Sequence, residues 1–150
     1  MTNDTREMAP ATSPVPVLNA LVPWRTPVRW RDLDHLGHVN SVVFLTYLDE
    51  GRTAWLASVL GSGFEPDQYV VAHIELDYRA EIPAGTEMVE TVHVIEEIGR
   101  SKVTFREQLR IVGGAMVAEG NAVIVMWEPS LHRSRPLSDA ERFALAGIRR

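Results

Sequence analysis

The sequence predicts a two-layer α+β domain: a curved antiparallel sheet of about five strands wrapped round one long helix. Three observations carry that expectation. Residues 41 to 60 repeat apolar side chains at three- and four-residue steps, the period of a helix. Segments before and after them alternate at a period of two, the pattern of half-buried strands. Pro-Ala-Gly at 83 to 85 and Gly-Gly at 113 to 114 then punctuate the strands at hairpin spacing. One helix facing one sheet is the layered arrangement that buries both apolar faces.

Residues 1 to 22 carry Pro10, Pro14 and Pro16 among Thr, Ala and Ser, a composition that packs poorly. They are expected to be a flexible tail, with a single domain over 23 to 150. Trp24 to Arg31 sets Trp24, Thr26, Val28 and Trp30 against Arg25, Arg29 and Arg31, an alternation expected to form strand one. Pro27 suits an edge position, because it donates no ladder hydrogen bond. In the helix, Phe44, Tyr47, Leu48, Trp55, Leu56 and Val59 make the apolar stripe, with Asp49, Glu50 and Arg52 placed off it. Gly61 and Gly63 end it. Gly51 costs the helix about 1 kcal/mol against alanine, which a close approach to the sheet would explain.

Residues 70 to 79 alternate as a strand with one buried face. Residues 87 to 97 make a less regular strand. Val103, Phe105, Leu109 and Ile111 oppose Lys102, Thr104, Arg106, Gln108 and Arg110 in a third strand. Ala115 to Trp127 is apolar on both sides and is expected in the sheet interior. Ser138 caps a short final helix.

A chain of 150 residues with 45% hydrophobic and 23% charged residues buries a core without staples. Its net charge of −5 argues against nucleic acid or anionic membrane as the main partner. The absence of cysteine excludes disulfides, thiolate metal sites and cysteine nucleophiles. No apolar run approaches the roughly 18 to 20 residues of a membrane helix, and the N-terminus lacks the pattern of a secretory signal. A cytoplasmic location is expected.

The residues that point to function are Asp32, Asp34, His35, Gly37, His38, Asn40 and Ser41, crowded into ten positions before the helix. A metal is not expected: the two histidines sit three apart in a loop, with no thiolate or evident third histidine to complete a site. A structural reading has Asn40 or Ser41 capping the helix, Gly37 turning the chain and the acids bonding loop amides. A chemical reading uses the same geometry. The unpaired amides of a helix N-terminus can hold an oxyanion, each donor being worth about 3 kcal/mol in a transition state. A carboxylate nearby, Asp34, would activate water or attack the carbonyl itself.

The stretch DLDHLGHVNSVVFLTYLDEGR, set between a strand and four more strands, resembles the hot-dog-fold acyl-CoA thioesterases of the 4-hydroxybenzoyl-CoA thioesterase-like group. Their pattern runs D-x-D-x-x-G-H-V-N-N, an aromatic-leucine step, then E-E-A-R. Asp32, Asp34, Gly37, His38, Val39 and Asn40 match it, Ser41 replaces the second Asn, and Asp49-Glu50-Gly51-Arg52 replaces E-E-A-R. The resemblance covers residues 25 to 128. It implies a hot-dog fold paired as a homodimer or homotetramer, with an acyl-CoA or acyl-carrier-protein thioester as substrate and no cofactor beyond the coenzyme A of that substrate.

Carried over by position, the resemblance makes Asp34 the general base or nucleophile and the Ser41 amide, with Asn40 beside it, the oxyanion donor. His38 would orient the loop or assist a proton, and Asp49, shorter than the family's Glu, would alter the contact made there with a catalytic water across the dimer. The acyl group is expected between the helix and the partner subunit's sheet, lined by Tyr47, Leu48, Val71 and His73. Arg100, Ser101 and Lys102 resemble the family's G-x-S-S turn, where the coenzyme A chain passes. Two other classes stay open: a hot-dog hydratase or dehydratase, which pairs a catalytic His with an acid, and a non-catalytic acyl-CoA-binding protein.

Overall fold

The computed structural model describes residues 22–148. The expected N-terminal tail lies outside these residues except for Val22, as do residues 149 and 150. Strand β1 (Trp24–Pro27) leads into helix α1 (Ser41–Leu60). Strands β2 (Tyr69–Tyr78), β3 (Met88–Ile98), β4 (Lys102–Ile111) and β5 (Met116–Glu128) follow. A two-residue strand β6 (Arg133–Ser134) and helix α2 (Asp139–Ile148) close the fold. All pairings are antiparallel, in the order β1-β3-β4-β5-β2, with β6 added to the end of β5.

The long helix, the interior position of β5 and the capped α2 agree with the sequence. Asn40 Oδ1 accepts the Val42 amide at 3.0 Å to start α1. Ser138 Oγ accepts the Glu141 amide while Glu141 accepts the Ser138 amide, a reciprocal cap on α2.

Three expectations are corrected. Strand one stops at Pro27 rather than Arg31, and Trp30–Asp32 forms a 3-10 turn. The cause is local: Asp32 Oδ2 accepts the Arg29 amide at 2.9 Å, and that bond closes a turn in place of a ladder. Strand β2 does not bury one clean face. It is an edge strand, only Ile74 and Leu76 are half-buried among its aliphatic residues beyond Tyr69, and Val70, Val71 and Tyr78 are exposed. Arg52 is not on the outer face of α1 but fully buried.

That last correction organises the interior. One apolar cluster joins Phe44, Tyr47 and Leu48 to Val89, Leu109 and Val117. A second joins Trp55 and Leu56 to Ile95, Phe105 and Ile124. Between them, Arg52 on α1, Glu107 on β4 and Thr91 and His93 on β3 form a buried polar seam that divides the core. Gly51 gives the seam its room. A Cβ there would land on Thr91 Oγ1 and 2.8 Å from His93 Nε2, so the helix can approach the sheet only because position 51 has none.

Candidate active site

The loop before α1 is a small hairpin. Leu33 bridges Val39, the Asp34 amide donates to the His38 carbonyl at 2.8 Å, and the Asn40 amide donates to the Asp32 carbonyl at 2.8 Å. Gly37 turns it with a φ of 78°, a conformation open to glycine without strain. The returning arm docks on residues 82 to 84, through Val39 N to Ile82 O and Ala84 N to Gly37 O, both 2.9 Å. The chain therefore does fold back on itself ahead of the helix.

The two acids divide by environment. Asp32 is buried, and its Oδ2 also accepts the Tyr47 hydroxyl at 2.6 Å. Burial, followed by that hydrogen bond and charge, pushes the Tyr47 phenol far above its ordinary value and keeps it a donor. Asp34 keeps partial exposure. Its Oδ1 accepts the Leu36 amide at 2.9 Å and the His38 amide at 3.4 Å, which leaves Oδ2 to meet a water or a substrate.

At the helix end, Asn40 is the cap, and its side chain and carbonyl take the Val42 and Val43 amides. The amide ahead of them belongs to Ser41, an exposed residue whose own carbonyl accepts the Tyr78 hydroxyl at 2.8 Å. His38 places Nε2 3.0 Å from Glu81 Oε2, outside the helix. Asp34, His38, Asn40 and Ser41 thus share one loop-to-helix junction.

The other candidates lie elsewhere. Tyr47, expected to line the acyl pocket, is wholly buried and is a core residue fixed to Asp32; Leu48 is core as well. Val71 and His73 are exposed on the free edge strand. Asp49 is exposed on α1, with Oδ1 3.0 Å from Arg52 Nη1. The Arg100-Ser101-Lys102 turn is tied down by Leu137 N to Arg100 O and Met126 N to Ser101 O, both within 2.9 Å. It sits at the opposite end of the sheet from the helix N-terminus. Tyr78, which touches Ser41, pairs with Ala118, whereas Lys102 pairs with Val125. Seven residues of β5 separate those positions, about 23 Å at strand rise. One protomer does not bring the turn to the loop.

The seam was missed in the sequence. Glu107 holds Arg52 in a two-pronged pair, Nε to Oε1 at 2.6 Å and Nη2 to Oε2 at 2.8 Å. His93 Nδ1 lies 3.0 Å from Glu107 Oε1, and its Nε2 lies 3.0 Å from Thr91 Oγ1. Burial opposes the charge of each partner. The Glu107 bonds and charge still hold Arg52 above its ordinary value, and the His93 and Arg52 bonds hold Glu107 below its own. The signal was present: Glu107 shares the apolar side of β4 with Phe105 and Leu109, and Arg52 lies four residues from Leu48 and Leu56. Two opposite charges on two core faces call for each other.

Among the described residues, no group of three or more His, Cys, Asp or Glu is disposed to hold a metal ion, and no helix is long and apolar enough to cross a membrane. A family model described as the thioesterase-like superfamily matches residues 28–129. A thioesterase from Thermus thermophilus, in complex with coenzyme A and zinc, is 33% identical with a TM-score of 0.74, over 85% of this chain and 92% of that one. A 1,4-dihydroxy-2-naphthoyl-CoA thioesterase from Synechocystis, 16% identical over 85% of this chain and 97% of that one, shares the fold with a TM-score of 0.70. Comparison with curated proteins returns no match. With the family model spanning most of the fold and a one-third-identical relative covering the same elements, the chain belongs to the thioesterase-like superfamily, whose chemistry is thioester hydrolysis.

Proposed function

We propose that the protein hydrolyses a fatty-acyl- or aroyl-coenzyme A thioester at the junction of the loop and α1. The observation that carries this is Asp34, partly exposed and fixed by loop amides, on the hairpin that delivers the N-terminus of a capped helix. In this reading Asp34 takes a proton from water, whose oxygen adds to the thioester carbonyl, or attacks that carbon itself. The carbonyl oxygen becomes an oxyanion and lies against the Ser41 amide, aided by the positive end of α1, with Asn40 holding the helix end open. Collapse breaks the C–S bond. By the first route the proton held on Asp34 goes to the coenzyme A thiolate and the free acid leaves. By the second the thiolate leaves an acyl-aspartyl anhydride, which water hydrolyses to the acid and free Asp34 while its proton goes to the thiolate. No metal or cofactor takes part in this scheme.

The site is completed by a second copy, in a homodimer or a tetramer of such dimers. Strand β2 is a ten-residue edge with exposed Val70 and Val71, the kind of surface that pairs with another strand. Helix α1 runs antiparallel beside it, with Ser41 at Tyr78 and Thr53 Oγ1 2.6 Å from the Tyr69 hydroxyl. Antiparallel pairing of two β2 strands about a two-fold axis sets the Tyr69 end of one against the Tyr78 end of the other. Asp49 of the partner subunit and the partner subunit's Arg100 then approach Asp34 and Ser41. Arg100 and Lys102 supply the positive charge that coenzyme A phosphates need, Ser101 a hydroxyl, and Val71 and His73 a wall for the acyl group. An acyl-carrier-protein thioester would present the same reacting group. The hydratase alternative loses support because His38 pairs with Glu81 rather than with an acid on the helix.

The test is thiol release from a panel of acyl- and aroyl-coenzyme A substrates, followed with a chromogenic disulfide. Asp34→Asn is expected to lower kcat by about 10²- to 10⁴-fold while the assembly and its melting temperature persist. An unaffected Asp34→Asn would overturn the mechanism. Hydration of an enoyl-coenzyme A without thiol release would replace it with the alternative, and ligand binding with no turnover would make the protein a binder.

A further inference from the structure

We propose that Arg52 is a positioning residue for the reaction, fixing the carboxylate of Asp49 through a hydrogen-bonded chain that runs across the core. The inference rests on the thioesterase reading above, with Asp49 meeting the substrate or its water from the partner subunit.

An aspartate side chain on an exposed helix face samples several rotamers, and a group that must meet a water or carbonyl loses rate when it wanders. Asp49 is 61% exposed, yet its Oδ1 lies 3.0 Å from Arg52 Nη1. Arg52 is itself almost entirely buried, so the contact reaches out from the interior rather than across the surface. Its other two polar edges are occupied by both oxygens of Glu107, at 2.6 and 2.8 Å. A guanidinium is planar, so those two bonds fix the direction in which Nη1 points. Glu107 is held in turn by its cross-strand partner His93, and His93 by Thr91.

With the proton on Nδ1, His93 donates to Glu107 and accepts from the Thr91 hydroxyl, and every link is satisfied with a neutral ring. Each link is therefore defined by the one behind it, and the last is anchored in β3 beneath Gly51, where no Cβ intervenes. The chain cannot act as a proton relay, because the guanidinium in its middle stays charged at any working pH. Its effect on Asp49 is orientation. Arg52 takes Oδ1 and leaves Oδ2 for the water or the substrate.

A double-mutant cycle on the full-length protein tests this, with kcat and KM measured for Arg52→Lys, Asp49→Asn and the pair, and thermal unfolding recorded for each. Lysine keeps the charge but lacks the planar fork. Arg52→Lys is expected to lower kcat by about 10- to 100-fold with KM changed less than about threefold. Asp49→Asn should lose a comparable factor, and the double variant should be no slower than Asp49→Asn alone. Multiplying losses, or a normal kcat in either single variant, would overturn the inference. If Arg52→Lys does not fold, Glu107→Gln takes its place: kcat should fall in the wild-type background and stay unchanged in the Asp49→Asn background, and an equal fall in both would overturn the proposal. Absence of thiol release by the wild type with every acyl-coenzyme A is a separate outcome, which overturns the thioesterase reading and this inference with it. Normal wild-type turnover with an additive cycle overturns the inference alone.

Discussion

The hairpin before α1 and the seam across the core each hold a carboxylate beside a histidine, but Asp34 keeps partial exposure while Glu107 is buried. In the hairpin, Asp34 accepts backbone amides and still faces water. In the seam, Glu107 is buried and both of its oxygens are engaged, Oε1 by Arg52 and His93 and Oε2 by Arg52. A carboxylate bonded to its own loop can be removed with little loss to the fold, whereas one paired inside cannot. In the proposed mechanism the difference separates a carboxylate free to react, Asp34, from one that serves the fold and the orientation of Asp49, Glu107.

The sharpest way to break that contrast is Glu107→Ala. It strands the buried Arg52 charge and should destabilise the fold by about 3–5 kcal/mol in denaturant titrations, whereas Asp34→Asn should leave the midpoint unchanged. Equal midpoints would put the seam and the hairpin in one class. Acid sharpens the same point. Glu107 is held below its ordinary value of 4.5, so its stabilisation is complete above the unfolded value and is lost as pH falls through the lower folded one. The protein should begin to lose stability below about pH 4.5, and Glu107→Gln should flatten that limb of the stability curve.

Gly51→Ala comes next. The gain of about 1 kcal/mol in helix propensity is set against a Cβ driven into Thr91 and His93. A net loss of about 1–3 kcal/mol in thermal or denaturant unfolding is expected, and a stabilised Gly51→Ala would show that the seam has slack. The smallest effect belongs to the hairpin side. Asn40→Ala removes the cap on Val42 and should cost about 1 kcal/mol in the same measurement, while lowering kcat by more than that loss of stability explains.

Much of the hairpin could be read in advance because its contacts are local. Asn40 to Val42, Asp34 to Leu36 and the glycine turn at 37 all join residues within a few positions of one another. The seam joins positions 52, 93 and 107, far apart along the chain, and a charged residue at 52 reads as solvent-facing until its partner is known, even though Leu48 and Leu56 flank it at helical spacing. That spacing and the parity of Glu107 with Phe105 and Leu109 are the two local signals of the pair. Tyr47 was misread for the converse reason: its place on the apolar stripe was right, but the buried Asp32 that takes its hydroxyl became a partner only when the loop folded over it.

Composition, the period of 3.6 in residues 41 to 60 and the alternating strands after them determined the helix, the strands and the loop motif, because each is written in side chains near one another along the chain. Tertiary structure alone decided that β2 became an edge strand, which charges met inside, and that Lys102 lies about 23 Å along the sheet from Tyr78. Those are distances across the chain's folded path, and one-dimensional periodicity carries the face of a residue but not the partner it meets there.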